Sequence, residues 1–530
     1  MKRIFALLIS VTMTATAREA ARPNIILVMA DDMGFSDIGS YGGEIHTPNL
    51  NQLAANGLRY AQFYNTARCC PTRASLMTGL YAHQAGMGAM TNPTALRGYQ
   101  GHINRNCVTI AEVLKTAGYA TFMSGKWHLA ENKNKTANGS KVNWPRQRGF
   151  DRFFGTIAGA GSFFAPATLT LDNEPITKFP KDFYYTTAIG EHGARFIREH
   201  TAKQTKQPFF LYVPFTAPHW PMHALEKDIK KYRGKYLKGW DALRAERHAR
   251  QVAMGLVAKR WPLSKRHPRA PEWDSLNAAK KKAMDERMAI YAAMIDSMDQ
   301  SIGRILNALD ERGLRESTLV FFLADNGGCD EGGLFGFERK KGGKLGTDKS
   351  FASYGLGWAN ASNTPFQFFK KDNHEGGIAS PLIVHWPHGI AARGEWRQQP
   401  GHVIDIMATC LEVAGAKYPE KFKKHTIVPL EGKSLVPTFT DRAIDREALY
   451  WEHVGNRAVR SGDWKLVANK RFRKQDWELY NLKTDRTETV NLIDQREDKA
   501  QELEAMWQAW AERAHVLPKP GRKPKNKKKK

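Results

Sequence analysis

Five short apolar runs, each followed by polar residues, constrain this chain most. Asn24–Ala30 stops at Asp31-Asp32, Tyr119–Met123 leads into Gly125-Lys126-Trp127-His128, and Phe209–Phe215 leads to Pro218-His219. Thr318–Ala324 stops at Asp325-Asn326-Gly327-Gly328, and Pro381–His385 is the fifth run. Runs of this length and apolar content suit strands buried on both faces, and amphipathic segments at 109–117 and 291–312 read as helices between them. Strands alternating with helices predict an α/β fold with a large central, mostly parallel sheet flanked by helices. Sites in such sheets form outside the carboxyl ends of the strands, so the first four polar endings are expected to face one crevice.

That crevice would gather Asp31, Asp32 and Asp325, with Asn326 adding a neutral oxygen. Three carboxylates brought this close repel one another and lose hydration, an arrangement that makes sense around a cation. An all-oxygen donor set is hard, which favours Ca²⁺ or Mg²⁺ over zinc. A calcium-sized site tolerates irregular geometry better, so one Ca²⁺ is expected.

The stretch Arg68-Cys69-Cys70-Pro71-Thr72-Arg73 sets two thiols beside a proline turn. Pro71 fits the first position of a helix that Ala74-Ser75-Leu76-Met77 continues and Gly79 closes. A helix N-terminus offers free N–H groups to an anion. Cys69-x-Pro71-x-Arg73 followed by Leu76-Met77-Thr78-Gly79 resembles the signature of the sulfatase family, whose fold is that of alkaline phosphatase. Further blocks match in the expected order over most of residues 24–500. They are Thr47-Pro48-Asn49-Leu50, Gly125-Lys126-Trp127-His128-Leu129, Ala217-Pro218-His219, and Lys370 five residues before Glu375-Gly376-Gly377. Tyr232–Tyr236, Gly357–Asn360 and the Glu375 block look most like bacterial arylsulfatases. At Ala379-Ser380 many relatives carry arginine or threonine, a departure expected to touch the substrate edge.

The resemblance implies that Cys69 is oxidised to 3-oxoalanine (formylglycine) by a formylglycine-generating enzyme, with Cys70 at a variable position. It implies one divalent ion held by Asp31, Asp32, residue 69, Asp325 and Asn326. It implies that a hydrated formylglycine attacks the sulfur of a sulfate ester, with Arg73 and Lys126 holding the diol. His219, with Lys370, would protonate the leaving alcohol, and His128 would take the proton that expels sulfate. Lys370 rather than Lys371 has the register of the substrate-binding lysine; in an extended segment only one of the two could reach the sulfate.

Lys2-Arg3, the apolar run Ile4–Met13 and Ala15-Thr16-Ala17 read as a signal peptide over residues 1–17, so the chain is expected to be exported, periplasmic or secreted. No run of about 20 apolar residues follows, so no transmembrane segment is expected. Five cysteines in an exported chain are too few and odd in number for a disulfide scaffold. Eighty Lys plus Arg against 53 Asp plus Glu leave +27, which favours anionic partners; no nucleic-acid motif accompanies it.

The domains expected are a catalytic one over 22–424, an α+β one over 425–516 and a basic disordered tail over 517–530. In the second, 448–452, 457–460, 464–467 and 477–480 read as antiparallel strands and 498–514 as a helix. The basic segment 226–282, with Trp240, Trp261 and Trp273, reads as a helical insertion near the site entrance. The leading function is an exported, arylsulfatase-type sulfatase acting on aryl or carbohydrate sulfates. The alternatives are a phosphodiester or phosphonate monoester hydrolase of the same superfamily and a non-catalytic polyanion-binding protein.

Overall fold

The computed structural model describes residues 22–203, 206–340, 342–470 and 476–520. The segment read as a signal peptide and residues 521–530 of the basic tail lie outside the described residues.

The apolar runs form the middle of an eleven-stranded sheet. Its long strands are β1 (Asn24–Ala30), β2 (Leu58–Tyr64), β3 (Ala120–Ser124), β4 (Arg152–Thr156), β5 (Phe209–Pro214), β6 (Thr318–Ala324) and β7 (Ala379–His385), and they lie in the order β2-β7-β6-β1-β5-β3-β4. β1 pairs in parallel with both β5 and β6, and β3 with both β5 and β4. All of β1, β5, β6 and β7 is buried, as continuous apolar runs require. β7 runs antiparallel to β6 and to β2. β2 therefore points the same way as β1, and the amino end of β7 lies at the same edge as the carboxyl ends of the others.

Helices cover both faces. α1 (Cys69–Thr78) begins two residues before the expected start, so Pro71 is its third residue, where a missing N–H still costs nothing. Gly79 closes it at φ 68°. α2 (Ile110–Thr116) starts from a reciprocal Thr109–Glu112 capping box. α3 (Tyr185–Lys203) packs directly on the long α5 (Ala278–Asp310), and α4 (Gly239–Ala253) comes between them in the chain. α5 starts well before the expected residue 291 because its first turns carry Lys280-Lys281-Lys282, which hide the apolar stripe. The basic insertion is helical in part, but Trp240, Trp261 and Trp273 are core residues: Trp240 meets Trp273 and Trp358 edge-on at 4.8 and 5.4 Å.

After residue 440 the chain builds a separate antiparallel sheet, β8 (Leu449–His453), β9 (Asn456–Ser461), β10 (Trp464–Ala468) and β11 (Trp477–Asn481), in sequence order. α6 (Glu497–Arg513) covers it through Leu503, Trp507 and Trp510. Among the described residues no helix is long and apolar enough to cross a membrane.

Candidate active site

Five of the strands that point towards the shared edge deliver polar residues there. Asp31 and Asp32 follow β1, Lys126 and His128 follow β3, His219 follows β5, and Asp325 and Asn326 follow β6. β2, which the sequence reading passed over, delivers Arg68 and then α1 with Cys69 and Arg73. Backbone bonds continue the sheet register into these endings: Asp31 N–H donates to Ala217 O at 3.0 Å, Lys126 N–H to Pro214 O at 2.7 Å, and Asp325 N–H to Ala30 O at 3.1 Å. The turn before Lys126 requires glycine, since Gly125 has φ 139° and a Cβ there would lie 2.0 Å from Pro214 O.

The charges interlock in a fully buried cluster. Lys126 Nζ lies 2.5 Å from Asp31 Oδ2, and Arg73 Nη2 lies 2.8 Å from Asp325 Oδ2 and 3.6 Å from Asp31 Oδ2. Arg73 Nη1 also donates to Lys126 O at 3.0 Å, so one side chain ties three strand endings together. Lys370 reaches Asp32 at 2.6 Å, and His219 Nε2 is 3.4 Å from Asp32 Oδ2. Asp325 Oδ1 accepts from Asp32 N–H at 3.2 Å, and Asn326 Nδ2 donates to Asp32 Oδ1 at 2.7 Å. All ten residues singled out from the sequence are buried in this one place.

Protonation reflects the crowding. Burial, then the charge of Asp31, pushes Asp325 up to about 8. Burial also raises Asp31, whereas at Asp32 it is outweighed by His219 and Lys370, which hold the carboxyl below its ordinary range. The Lys370 ammonium is dehydrated, but Asp32 more than compensates and raises it well above its usual value. Burial drives His128 down to about 3 and His219 to about 4, so both rings are neutral at pH 7. His219 Nδ1 sits 2.6 Å from Trp220 O, which assigns the proton to Nδ1 and leaves Nε2 open to the site.

The two thiols differ. A hydrogen bond from Cys70, then the charges of Lys126 and His128, hold Cys69 well below the usual thiol range despite its burial. Burial raises Cys70 well above it. Cys69 opens α1, the end at which backbone N–H groups point outward.

Two oxygens in the cluster have no protein partner: Asp31 Oδ1 and Asn326 Oδ1 are both buried and unbonded. Orphaned hard oxygens on adjoining strand ends fit a hard divalent cation, and Asp31, Asp32 and His219 place ligand atoms within 4.8 Å of one another.

The structure corrects two local expectations and locates a third pair of residues. Lys370 and Lys371 do not lie in an extended segment: Lys371 has φ 83°, in a turn, and its ammonium pairs with Glu331 at the rim. Ala379 and Ser380 open β7 at the edge that carries the site and are buried there, Ser380 Oγ bridging Ala324 N at 2.8 Å and Ala324 O at 3.1 Å beside Asp325. The 226–282 insertion contributes not its tryptophans but Arg247, whose guanidinium lies 2.7 Å from Asp37 Oδ1 under the Asp31-Asp32 loop. Sequence reasoning missed Arg247, Glu331 and His453, because a charged or imidazole side chain far along the chain carries no local mark of where it docks.

The sequence model of the family described as Sulfatase matches residues 23–416, and that of the N-sulphoglucosamine sulphohydrolase C-terminal region matches residues 366–513. The chain is 34% identical over 445 residues to an arylsulfatase of Klebsiella aerogenes, covering 79% of this chain and 93% of that one. It is 33% identical over 487 residues to an uncharacterized sulfatase of Schizosaccharomyces pombe, covering 84% of this chain and 85% of that one. Among solved structures, that of Ps i-CgsB with k-i-k-neocarrahexaose superposes with a TM-score of 0.67 at 22% identity, covering 94% of this chain and 98% of that one. A strand-end crevice of this composition, on this fold and with these relatives, makes the chain a sulfuric ester hydrolase that belongs to the sulfatase family.

Proposed function

We propose that this protein is an exported, arylsulfatase-type enzyme that works through an aldehyde made from Cys69 by a formylglycine-generating enzyme, beside one Ca²⁺. The observation that carries the reading is the position of Cys69: first residue of α1, its Sγ within 4.8 Å of Cys70 Sγ and of a His128 ring nitrogen, and held well below the usual thiol range by its surroundings, Lys126 among them. The Sγ atom stands where an oxygen of the hydrated aldehyde would be.

Asp31, Asp32, Asp325, Asn326 and residue 69 would hold the cation, which supplies charge neutralisation and polarises the oxygens of sulfate and nucleophile. The aldehyde hydrate supplies an oxygen nucleophile and a second hydroxyl through which the product can be expelled.

The chain's own residues account for the rest. Lys126, Lys370 and Arg73 form a dry cationic frame around position 69, and fixed cations stabilise charge gathered on the oxygens of a reacting sulfate ester. His219 keeps its Nδ1 proton on Trp220 O, so Nε2 is the atom that exchanges a proton with the leaving oxygen. A bound sulfate monoanion raises this ring from its low resting value, turning Nε2 into a donor beside Lys370. His128 lies against residue 69 from the other side, and its unpartnered Nδ1 leaves it able to accept a proton there.

The test is direct. Protein co-expressed with a formylglycine-generating enzyme should carry the aldehyde at residue 69 and release sulfate from 4-nitrophenyl sulfate. Turnover of the matching phosphate diester or phosphonate monoester in preference to the sulfate would replace this reading with the other chemistry of the superfamily.

A further inference from the structure

The sulfur-binding groups leave unexplained a second ring of side chains at the mouth of the crevice. The turn between β8 and β9, His453-Val454-Gly455-Asn456, docks there from the C-terminal sheet. Asn456 Nδ2 donates to Lys371 O at 2.5 Å, and Lys371 N–H donates to Ala67 O at 2.8 Å, two residues before Cys69. The turn is strained and presented to solvent: Val454 is 57% exposed and holds φ 47°, which a β-branched residue rarely adopts. Glu452 Oε1 holds it closed from Gly455 N–H at 2.9 Å.

Around this turn the charges are arranged rather than merely present. Glu331 Oε1 takes both Arg68 Nη1, at 3.0 Å, and the Lys371 ammonium, while its Oε2 takes Trp220 Nε1 at 2.8 Å. Both carboxylate oxygens are thereby occupied, and two cations share one negative charge. The side chains of Arg68 and Lys371 remain 14% and 27% exposed, within reach of an incoming group. His453 is the residue from which β8 enters this turn. It is 2% exposed, its Nδ1 has no hydrogen-bond partner, and it feels the charges of Arg68 and Cys69. Burial keeps the ring neutral, and an unpaired buried nitrogen is costly unless a bound molecule completes it.

Resting on the sulfate-ester reading above, we propose that Arg68, Lys371 and His453 form a leaving-group subsite for esters whose alcohol carries a second anionic substituent. Glu331 is the positioning residue that fixes the two cations. A second sulfate or a carboxylate on the leaving group would share the guanidinium and ammonium with Glu331 and accept from the imidazole. A neutral aryl group leaves all three unused.

The experiment compares mature enzyme, with its aldehyde content measured by mass spectrometry, on 4-nitrophenyl sulfate and a saccharide panel. The panel holds hexose monosulfates, the regioisomeric disulfates and uronate-linked 6-sulfated disaccharides, so carboxylate and sulfate arms are read separately. At least one anionic ester should exceed its neutral counterpart about tenfold in kcat/KM, mainly through KM. That ratio should shrink as salt rises from about 20 mM to about 500 mM. R68Q, K371Q and H453Q, matched for aldehyde content and melting temperature, should each collapse the ratio towards one. A ratio near one in the unmodified enzyme, or variants that slow all substrates equally, overturns the subsite while the sulfatase reading stands. If no ester releases sulfate despite full aldehyde content, the sulfatase reading itself fails.

Discussion

Lys370 Nζ sits 2.6 Å from one carboxylate oxygen of Asp32 and 2.8 Å from the other, across 338 residues of chain. The pairing is possible because β7 enters the sheet antiparallel to β6, so the segment before its first residue returns to the edge that β1 leaves. The turn that carries Lys370 is anchored in turn by the C-terminal sheet. Glu375, five residues on, is held by Lys465 at 2.9 Å and Arg486 at 3.1 Å, both fully buried.

The asymmetry of the vicinal thiols gives the first expectation. Cys69→Ala should abolish sulfate release, whereas Cys70→Ala should keep most of it, since burial makes Cys70 an inert small hydrophobe. Peptide mass analysis should find the aldehyde at 69 alone. An aldehyde at 70 would refute the assignment.

Removing the cation is the second. Chelation should inactivate the enzyme and lower its melting temperature, because Asp31, Asp32 and Asp325 are left to repel one another and Asp31 Oδ1 and Asn326 Oδ1 go unmatched. Ca²⁺ should restore both better than Zn²⁺. Stoichiometric zinc in active protein, without calcium, would defeat the oxygen-donor argument.

The parts of this molecule legible in its sequence are those with local causes. Each apolar run became a strand, because continuous burial on two faces writes itself as an unbroken hydrophobic string. α2 was legible from its amphipathic pattern, and the C-terminal strands as short runs separated by turns. β2 was not, since Arg59 and Gln62 interrupt its apolar run. The strand endings could be assigned to one crevice because parallel topology sends them there. What could not be read was long-range docking: Arg247 under the Asp37 loop, Lys465 behind Glu375, and Asn456 against Lys371 each join elements that no spacing connects.

Lys465 provides the third expectation. It is fully buried between Glu375, at 2.9 Å, and Glu488, at 2.8 Å. Lys465→Ala takes the cation from buried Glu488 and leaves Glu375 with Arg486 alone, and breaking a buried pair from one side typically costs about 3–5 kcal/mol. Urea unfolding should show a loss of that size. kcat should fall as well, because Glu375 braces the Lys370 turn. A loss below about 1 kcal/mol would mean that water or rearrangement replaces the ammonium.

Acid sensitivity follows from the joint between His83 and Glu452, whose atoms lie 3.0 Å apart where the main and C-terminal sheets meet. Burial pushes the Glu452 carboxyl up, but the hydrogen bond and charge of His83, then Lys519, outweigh it and hold it at about 2 against an ordinary 4.5. A carboxyl depressed on folding contributes stability that is complete above about pH 4.5 and is lost as pH falls through about 2. Glu452→Gln should therefore flatten the stability curve across that window and leave its slope unchanged above it. An unaltered slope between pH 4.5 and 2 would show that other carboxyls govern acid unfolding there.

The last expectation separates two adjacent lysines. Lys370 is buried against Asp32 at the bottom of the crevice, and Lys371 turns away at φ 83° to reach Glu331 on the rim. The backbone explains the divergence: Lys370 N–H donates to Gly328 O at 3.1 Å and Lys371 N–H to Ala67 O at 2.8 Å, so the two residues are pinned to different walls. The turn is tight enough that a Cβ on Gly377 would lie 1.9 Å from Asp372 O, which fixes its shape. Losing a preorganised donor to a reacting oxygen costs about 10²–10³ in kcat, the loss expected for Lys370→Ala on 4-nitrophenyl sulfate. Lys371→Ala should change turnover of that neutral substrate only slightly. Equal losses in kcat would place both ammonium groups on the sulfate and contradict the separation seen in the fold.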